Sequence, residues 1–81
     1  MSKYTAEEMV FQPLQLGDEG SMVLIVQKTL NSIGYEVVAN GIFDTIMDAK
    51  VRKFQTERDL VVDGIVGARM MVEIDNIFLE T

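Results

Sequence analysis

The sequence has no cysteine, no histidine and no tryptophan, and it contains one proline among 81 residues. Without cysteine the chain can form neither a disulfide nor a thiolate metal site. Without histidine it lacks the most common general base and the most common nitrogen ligand for zinc. We therefore expect a fold held together by apolar packing, with no metal and no cofactor.

Positive charge is also scarce. Seven Lys and Arg residues stand against 13 Asp and Glu residues, which gives a net charge of −6 at pH 7. That balance repels a phosphate backbone and predicts no nucleic-acid partner. Arg52, Lys53 and Arg58 gather on one segment, and we interpret them as a solvated helix face.

Long apolar runs are missing as well. No stretch approaches the roughly 18 apolar residues of a membrane span, so we expect no membrane partner. The first residues, MSKYTAEEMVFQ, lack the apolar core of a signal peptide. If Met1 is the natural start, the chain is expected to be made in the cytoplasm without a signal of its own.

What remains is the composition of a small folded domain, 48% hydrophobic and 25% charged. We predict an N-terminal extension over residues 1–13 and a helical domain over residues 14–81. Within the extension, Thr5 and Glu8 have the spacing of a capping box, which would start a short helix.

Helical periodicity predicts three helices in the domain. Their expected ranges are about Ser21 to Gly34, Thr45 to Arg58 and Ala68 to Phe78. Ser21 and Thr45 are the candidate N-caps, and Gly34 is the expected left-handed residue after the first helix. Asp59 occupies that place after the second helix, where we expect strain or a different exit. The predicted fold class is mainly α, a compact three-helix domain.

A turn sequence occurs twice. Asn40-Gly41-Ile42-Phe43 is echoed twenty-three positions later by Asp63-Gly64-Ile65-Val66, and Met47 falls on Met70. Asx and Gly both accept positive φ, so each copy favours a turn. We predict two pseudo-repeated Asx-Gly turns, each leading into a helix.

The run LQLGDEGSMVLIVQKTLNSIGY resembles the opening of the peptidoglycan-binding domain found beside many wall hydrolases, and the resemblance continues with its spacing kept over about residues 14–74. The matching positions are Leu14, Gly17, Gly20, Val23, Gln27, Leu30, Asn31, Gly34, Tyr35, Gly41, Phe43, Val51, Phe54, Gln55, Leu60, Asp63, Gly64, Val66 and Gly67. The resemblance implies a three-helix fold with two repeated turns. It also implies a non-catalytic module that binds the glycan or the stem peptide of the bacterial cell wall.

This chain departs from the family pattern at several positions. Asn40 replaces an aspartate, Asp44 and Asp59 replace glycines, and Met47 and Met70 both replace threonines. If those threonines contact ligand in the family, the paired exchange predicts loss of that ligand. If they cap or pack, little changes.

No catalytic residues are predicted, because thirteen acids without a context that predicts burial do not make a glycosidase pair. The ligand-binding candidates beside the turns are Tyr35, Asn40, Phe43, Gln55, Arg58, Asp63 and Arg69. Tyr35 and Phe43 offer an apolar platform, while Gln55, Arg58 and Arg69 offer hydrogen bonds or charge. Each has an alternative: Phe43 as core, Gln55 as a brace for a turn, and the two arginines as solvated surface.

A rival hypothesis keeps the fold and drops the ligand. Leu24, Ile25, Met71 and Val72 form a candidate protein interface, because methionine-rich apolar surface suits protein partners. A homo-oligomer or an assembly contact would follow. Under the wall-binding hypothesis, a phage or tail-like particle would carry the module to the wall.

Overall fold

The computed structural model describes residues 12–79. Three helices follow one another: α1 (Ser21–Ser32), α2 (Thr45–Glu57) and α3 (Ala68–Leu79). Between residues 12 and 79 there is no strand longer than an isolated bridge. The prediction of a mainly α three-helix domain is confirmed. The predicted short helix after Thr5 lies outside the described residues.

One core forms where the apolar stripes of the helices meet. Its buried residues are Leu14, Val23, Val26, Leu30, Phe43, Met47, Val51, Phe54, Val66, Met70 and Ile74. Fully burying one large apolar side chain contributes roughly 1.5–3 kcal/mol, so this cluster supplies most of the drive to fold. Met47 and Met70 are both in it, so the bulk that each adds in place of threonine fills the interior.

Two predicted helix caps are wrong by one residue. Asp44 is the N-cap of α2, with extended backbone, and its carboxylate accepts the backbone N–H of Met47 at 2.9 Å. Thr45 is therefore already helical. At α1 the N-cap is Gly20, which has no capping side chain, and Ser21 is the first helical residue. Aspartate is preferred over threonine as an N-cap, and Asp44 is the residue with the extended backbone that a cap requires.

The residues that follow α1 and α2 agree better with the sequence predictions than the N-caps do. Gly34, after α1, has a φ of 98°. Asp59, after α2, has a φ of 58° and is the one residue other than glycine with positive φ among residues 12–79. An L-residue in the left-handed region brings its Cβ close to the following carbonyl. The strain predicted at Asp59 is thus present.

The segment before α1 ties the two turns together. Leu14 and Val66 exchange backbone hydrogen bonds of 3.0 and 2.8 Å, which holds the end of the second turn. Further along, the N–H of Gly17 donates to the carbonyl of Phe43 at 2.9 Å, at the end of the first turn. One short segment, which itself turns at Gly17, therefore holds both turns against the same core.

Candidate ligand groove

A buried glutamine closes the second turn. The Nε2 of Gln55 donates to Asp63 Oδ1 at 2.9 Å and to the carbonyl of Ile65 at 3.0 Å. Its Oε1 accepts the backbone N–H groups of Asp63 and Gly64 at 3.2 and 3.1 Å. A glutamine amide offers two donors and one oxygen with two lone pairs, so its capacity is filled. The structure assigns this side chain to bracing the turn.

The first turn is closed in the same way by Gln27, which is also buried. Its Nε2 donates to Asn40 Oδ1 at 3.2 Å and to the carbonyl of Ile42 at 2.9 Å. Its Oε1 accepts the N–H of Gly41 at 2.8 Å. Sequence reasoning missed this role. The available signal was that each Asx-Gly turn has a glutamine in the helix before it.

The two Asx residues differ in charge. Asn40 Oδ1 accepts the N–H of Ile42 at 3.0 Å, and Asp63 Oδ1 accepts the N–H of Ile65 at 2.9 Å. The hydrogen bond from Ile65, aided by that from Gln55, lowers the pKa of the Asp63 carboxyl although partial desolvation opposes it. Asp63 is therefore ionised at neutral pH, so one turn carries a negative charge and the other does not.

A groove of about 440 Å³ lies beside the second turn, and we name it the turn-2 groove. Such a volume is typical of small-ligand sites, roughly 300–1,000 Å³. Its lining residues are Gln55, Asp59, Leu60, Val61, Asp63, Ile65, Gly67, Ala68, Arg69 and Met70. The fold thereby brings together three of the predicted ligand residues, Gln55, Asp63 and Arg69. The exit of α2 and the first turn of α3 form its two walls.

A more open depression of about 430 Å³, the turn-1 groove, lies beside the first copy of the turn. It is lined by Asn31, Glu36, Val37, Val38 and Ile46. Four of these precede a turn-2 lining residue by the repeat distance of twenty-three positions, pairing Glu36 with Asp59, Val37 with Leu60, Val38 with Val61, and Ile46 with Arg69. The repeat thus builds one groove twice, and an isoleucine replaces the arginine in the first copy.

The two aromatic candidates lie away from the turn-2 groove. Phe43 is 1% exposed and belongs to the core, so it presents no face to a ligand. Tyr35 packs edge-on against Phe54, with ring centroids 5.4 Å apart, and its hydroxyl donates to Glu57. Burial first, and then Glu57, raise the pKa of Tyr35 to about 12. The apolar platform predicted from Tyr35 and Phe43 is not formed, because both rings serve packing.

Arg58 links two helices. Its Nε and Nη2 reach Glu73 Oε1 at 2.9 and 2.8 Å, which ties the end of α2 to α3. Arg58 is not among the residues that line the turn-2 groove. Neither ion pair within residues 12–79 involves Arg69, which is exposed. Arg69 is therefore the cation that this groove offers.

Sequence reasoning also missed part of the groove wall, namely Asp59, Leu60 and Val61. One signal was present, because Asp59 stands where the family has glycine. Residues held in sparsely populated backbone conformations cluster at functional sites. Leu60 and Val61 gave no such signal, since their pattern is that of ordinary apolar residues before a turn.

The four candidate interface residues are exposed to different extents. Ile25 on α1 and Val72 on α3 are 52% and 55% exposed. Leu24 is half-buried, and Met71 is partly buried against the core. Ile25 and Val72 are therefore the two of these four residues that expose most of their surface to solvent.

Within residues 12–79, no three carboxylates come together in an arrangement that could hold a metal ion. No helix in the same range has the length and apolarity needed to cross a bilayer.

Comparison with known proteins identifies the family. Residues 19–73 match the family model described as a putative peptidoglycan binding domain. The chain is 31% identical over 62 residues to the carboxy-terminal processing protease CtpA of Bacillus subtilis strain 168, an alignment that covers 72% of this chain and 13% of the protease. The chain therefore corresponds to a small part of that curated relative.

Solved structures share the fold of this chain. The SleB N-terminal domain has a TM-score of 0.76 at 30% identity, covering 82% of this chain and 92% of that domain. The Burkholderia AP3 phage endolysin has a TM-score of 0.77 at 29% identity, covering 80% of this chain and 25% of the endolysin. With the family model matching more than half of its length, the chain belongs to the peptidoglycan-binding domain family.

Proposed function

We propose that this domain is a non-catalytic module that binds peptidoglycan through the turn-2 groove. The observation that carries the proposal is a concave surface with opposite charges, Asp59 and Asp63 against Arg69, in a chain of the peptidoglycan-binding family. The buried Gln55 holds the turn beneath it, so the groove is built before any ligand arrives. A preformed site loses less entropy on binding.

The lining suits the chemistry of the stem peptide. Peptidoglycan presents carboxylates, amines and apolar sugar faces. The Arg69 guanidinium can form charge-assisted hydrogen bonds with a carboxylate. Leu60 and Val61 supply apolar surface around it. Modest affinity is enough for a module that only tethers something else to the wall.

The best-defined acid of the groove does not have the raised pKa of a general acid. A glycosidase pair needs one carboxyl whose pKa is raised, so that it can donate a proton. Asp63 shows the reverse, because the hydrogen bond from Ile65 lowers its pKa. Its Oδ1 is also held by Gln55. Asp63 is therefore suited to a charge contact with a ligand and not to donating a proton.

The test is co-sedimentation of the purified protein with purified sacculi over a range of salt concentrations. We expect the protein to pellet with the sacculi. Arg69→Ala should weaken binding about fivefold, the loss of one exposed charge pair. Lys53→Ala removes an exposed cation that does not line the groove and should leave binding unchanged. No pelleting at about 50 μM protein would contradict the proposal.

A second candidate function is protein–protein interaction, favoured by the exposure of Ile25 and Val72. Light scattering gives the mass in solution. A stable dimer that Ile25→Glu dissociates, together with no pelleting on sacculi, would support this function in place of wall binding. A monomeric mass at every concentration would remove the homo-oligomer.

The route to the wall is a finer part of the proposal. We propose carriage in a phage or tail-like particle; the likeness to the Burkholderia AP3 phage endolysin supports only that this fold occurs in a phage protein. Mass spectrometry of particles purified from induced cultures of the source organism should detect this chain. Its absence from such particles, with presence in the wall fraction, would contradict that route.

A further inference from the structure

The two grooves share their construction and differ in their charges. Arg69 of the turn-2 groove takes the place that Ile46 has in the turn-1 groove, and Asp63 takes the place of Asn40. Glu36 matches Asp59 in both position and sign. Only the second copy therefore combines carboxylates with a cation in one concave surface.

Asp59 is the unusual member of this set. Its φ of 58° lies in the region that glycine enters without steric penalty, and α1 has Gly34 at its own exit. Glycine would suit the backbone better at Asp59. What aspartate adds at that place is a carboxylate on the wall of the groove.

The neighbouring charges do not neutralise the carboxylates of both Asp59 and Asp63. Asp63 is ionised, and its Oδ1 is occupied by the N–H of Ile65 and by Gln55. Arg52 donates to the backbone carbonyl of Asp63 at 3.3 Å and pairs with Asp48 at 3.1 Å. The guanidinium of Arg52 is therefore shared with another acid and does not cancel both groove carboxylates.

We propose that the turn-2 groove selects a ligand that carries an ammonium and a carboxylate together, as a stem-peptide diamino acid with a free side-chain amine does. Asp59 and Asp63 receive the ammonium, and Arg69 receives the carboxylate. This inference rests on the proposed function, whose peptidoglycan ligand it narrows to one chemical group. Charge complementarity of both signs gives orientation as well as attraction.

The turn-1 groove provides an internal contrast. It has one carboxylate, Glu36, and no cation, and its Val38 and Ile46 are 68% and 59% exposed. A zwitterionic group would gain one charge contact there and desolvate its carboxylate against apolar surface. We therefore expect the ligand to bind the turn-2 groove in preference to the turn-1 groove.

The test compares untreated sacculi with sacculi whose amines have been acetylated, which removes the ammonium and keeps the glycan and the carboxylates. We expect about fivefold weaker binding to acetylated sacculi, the value of one exposed charge pair. Asp59→Asn should weaken binding to untreated sacculi by about the same factor and leave binding to acetylated sacculi unchanged. Asp75→Asn, an exposed acid of α3 that does not line the groove, is the matched control and should change neither.

Folding is separated from binding by Asp59→Gly. This variant should weaken binding as Asp59→Asn does while raising the unfolding midpoint, since glycine relieves the positive φ. Equal binding to untreated and acetylated sacculi, or unchanged binding by both Asp59 variants, would overturn the inference and leave the proposed function standing. No binding to either preparation would overturn the proposed function itself.

Discussion

The two turns share their buried contacts and differ in the residues that they expose to solvent. In both, a buried glutamine and an Asx oxygen hold the backbone around a glycine of positive φ, 77° at Gly41 and 74° at Gly64. Outside, the first copy presents Ile46 and the second presents Arg69. The shared buried contacts show that the repeat has a structural role, because each turn leads into a helix. The chemistry must then be sought in the residues that differ.

Removing either buried glutamine should have the largest effect on stability. Gln55→Ala and Gln27→Ala should each lower the free energy of unfolding by about 3 kcal/mol, because buried backbone groups lose partners and a cavity forms. Urea unfolding measures both. Exposed Gln15→Ala is the control and should change stability by less than about 0.5 kcal/mol. A small loss for either core variant would mean that the two turns are not held alike.

Substituting the glycine of each turn should distinguish the two copies further. Gly41→Ala and Gly64→Ala should each cost about 1–2 kcal/mol from the left-handed backbone. A Cβ at Gly64 would also lie 2.6 Å from Asp48 Oδ1 and 2.7 Å from Arg52 Nη2, whereas one at Gly41 would lie 3.3 Å from a backbone carbonyl oxygen.

We therefore expect Arg52→Ala to relieve part of the cost of Gly64→Ala and none of the cost of Gly41→Ala. A double-mutant cycle followed by thermal unfolding measures this coupling. The same coupling at both glycines would contradict the described geometry.

The N-cap of α2 gives a smaller effect. Asp44 stands in the first copy where Gly67 stands in the second. Asp44→Ala should lower stability by about 1 kcal/mol, because Met47 loses its acceptor, whereas Asp44→Gly should cost only a few tenths. Thr45→Ala, one position further, should be nearly neutral. A larger loss of stability in Thr45→Ala than in Asp44→Ala would instead identify Thr45 as the N-cap.

The smallest expected effect is electrostatic and confined to the second turn. The folded pKa of Asp63 lies below its usual value, so its contribution to stability is present above that usual value and lost as pH falls through the folded pKa. Asp63→Asn, which copies Asn40, should flatten the dependence of the unfolding free energy on pH below about pH 4. Asp75→Asn serves as the control, and an equal flattening in it would contradict the assignment.

The sequence predicts much of the interior and less of the surface. Val23, Val26 and Leu30 recur at helical spacing, which is sufficient to place α1, and the Asx-Gly pairs are sufficient to place the turns. The prediction of Thr45 as the cap is wrong by one residue because the neighbouring Asp44 can also accept a hydrogen bond, and the sequence does not show which backbone is extended. Gln27 was missed because burial of a polar side chain depends on partners far along the chain.

The turn-2 groove was predicted only in part for the same reason. Asp63 and Arg69 were candidates from their chemistry, and the structure places both on its lining. Asp59 joins them because α2 ends beside the second turn, an arrangement set by helix packing. The sequence leaves Phe43 open between core and ligand platform, because an aromatic residue beside a turn is consistent with both, and its burial shows that it belongs to the core.

Backbone amide shifts of the ¹⁵N-labelled protein, followed during titration with soluble stem-peptide fragments that keep their free amine, show which copy of the turn binds the ligand. We expect saturable shifts over residues 59–70, around Asp59, Asp63 and Arg69. We expect no comparable shifts around Val38 and Ile46 of the turn-1 groove. Shifts centred on the turn-1 groove, or none at millimolar fragment, would contradict the claim that the second copy of the turn carries the binding site.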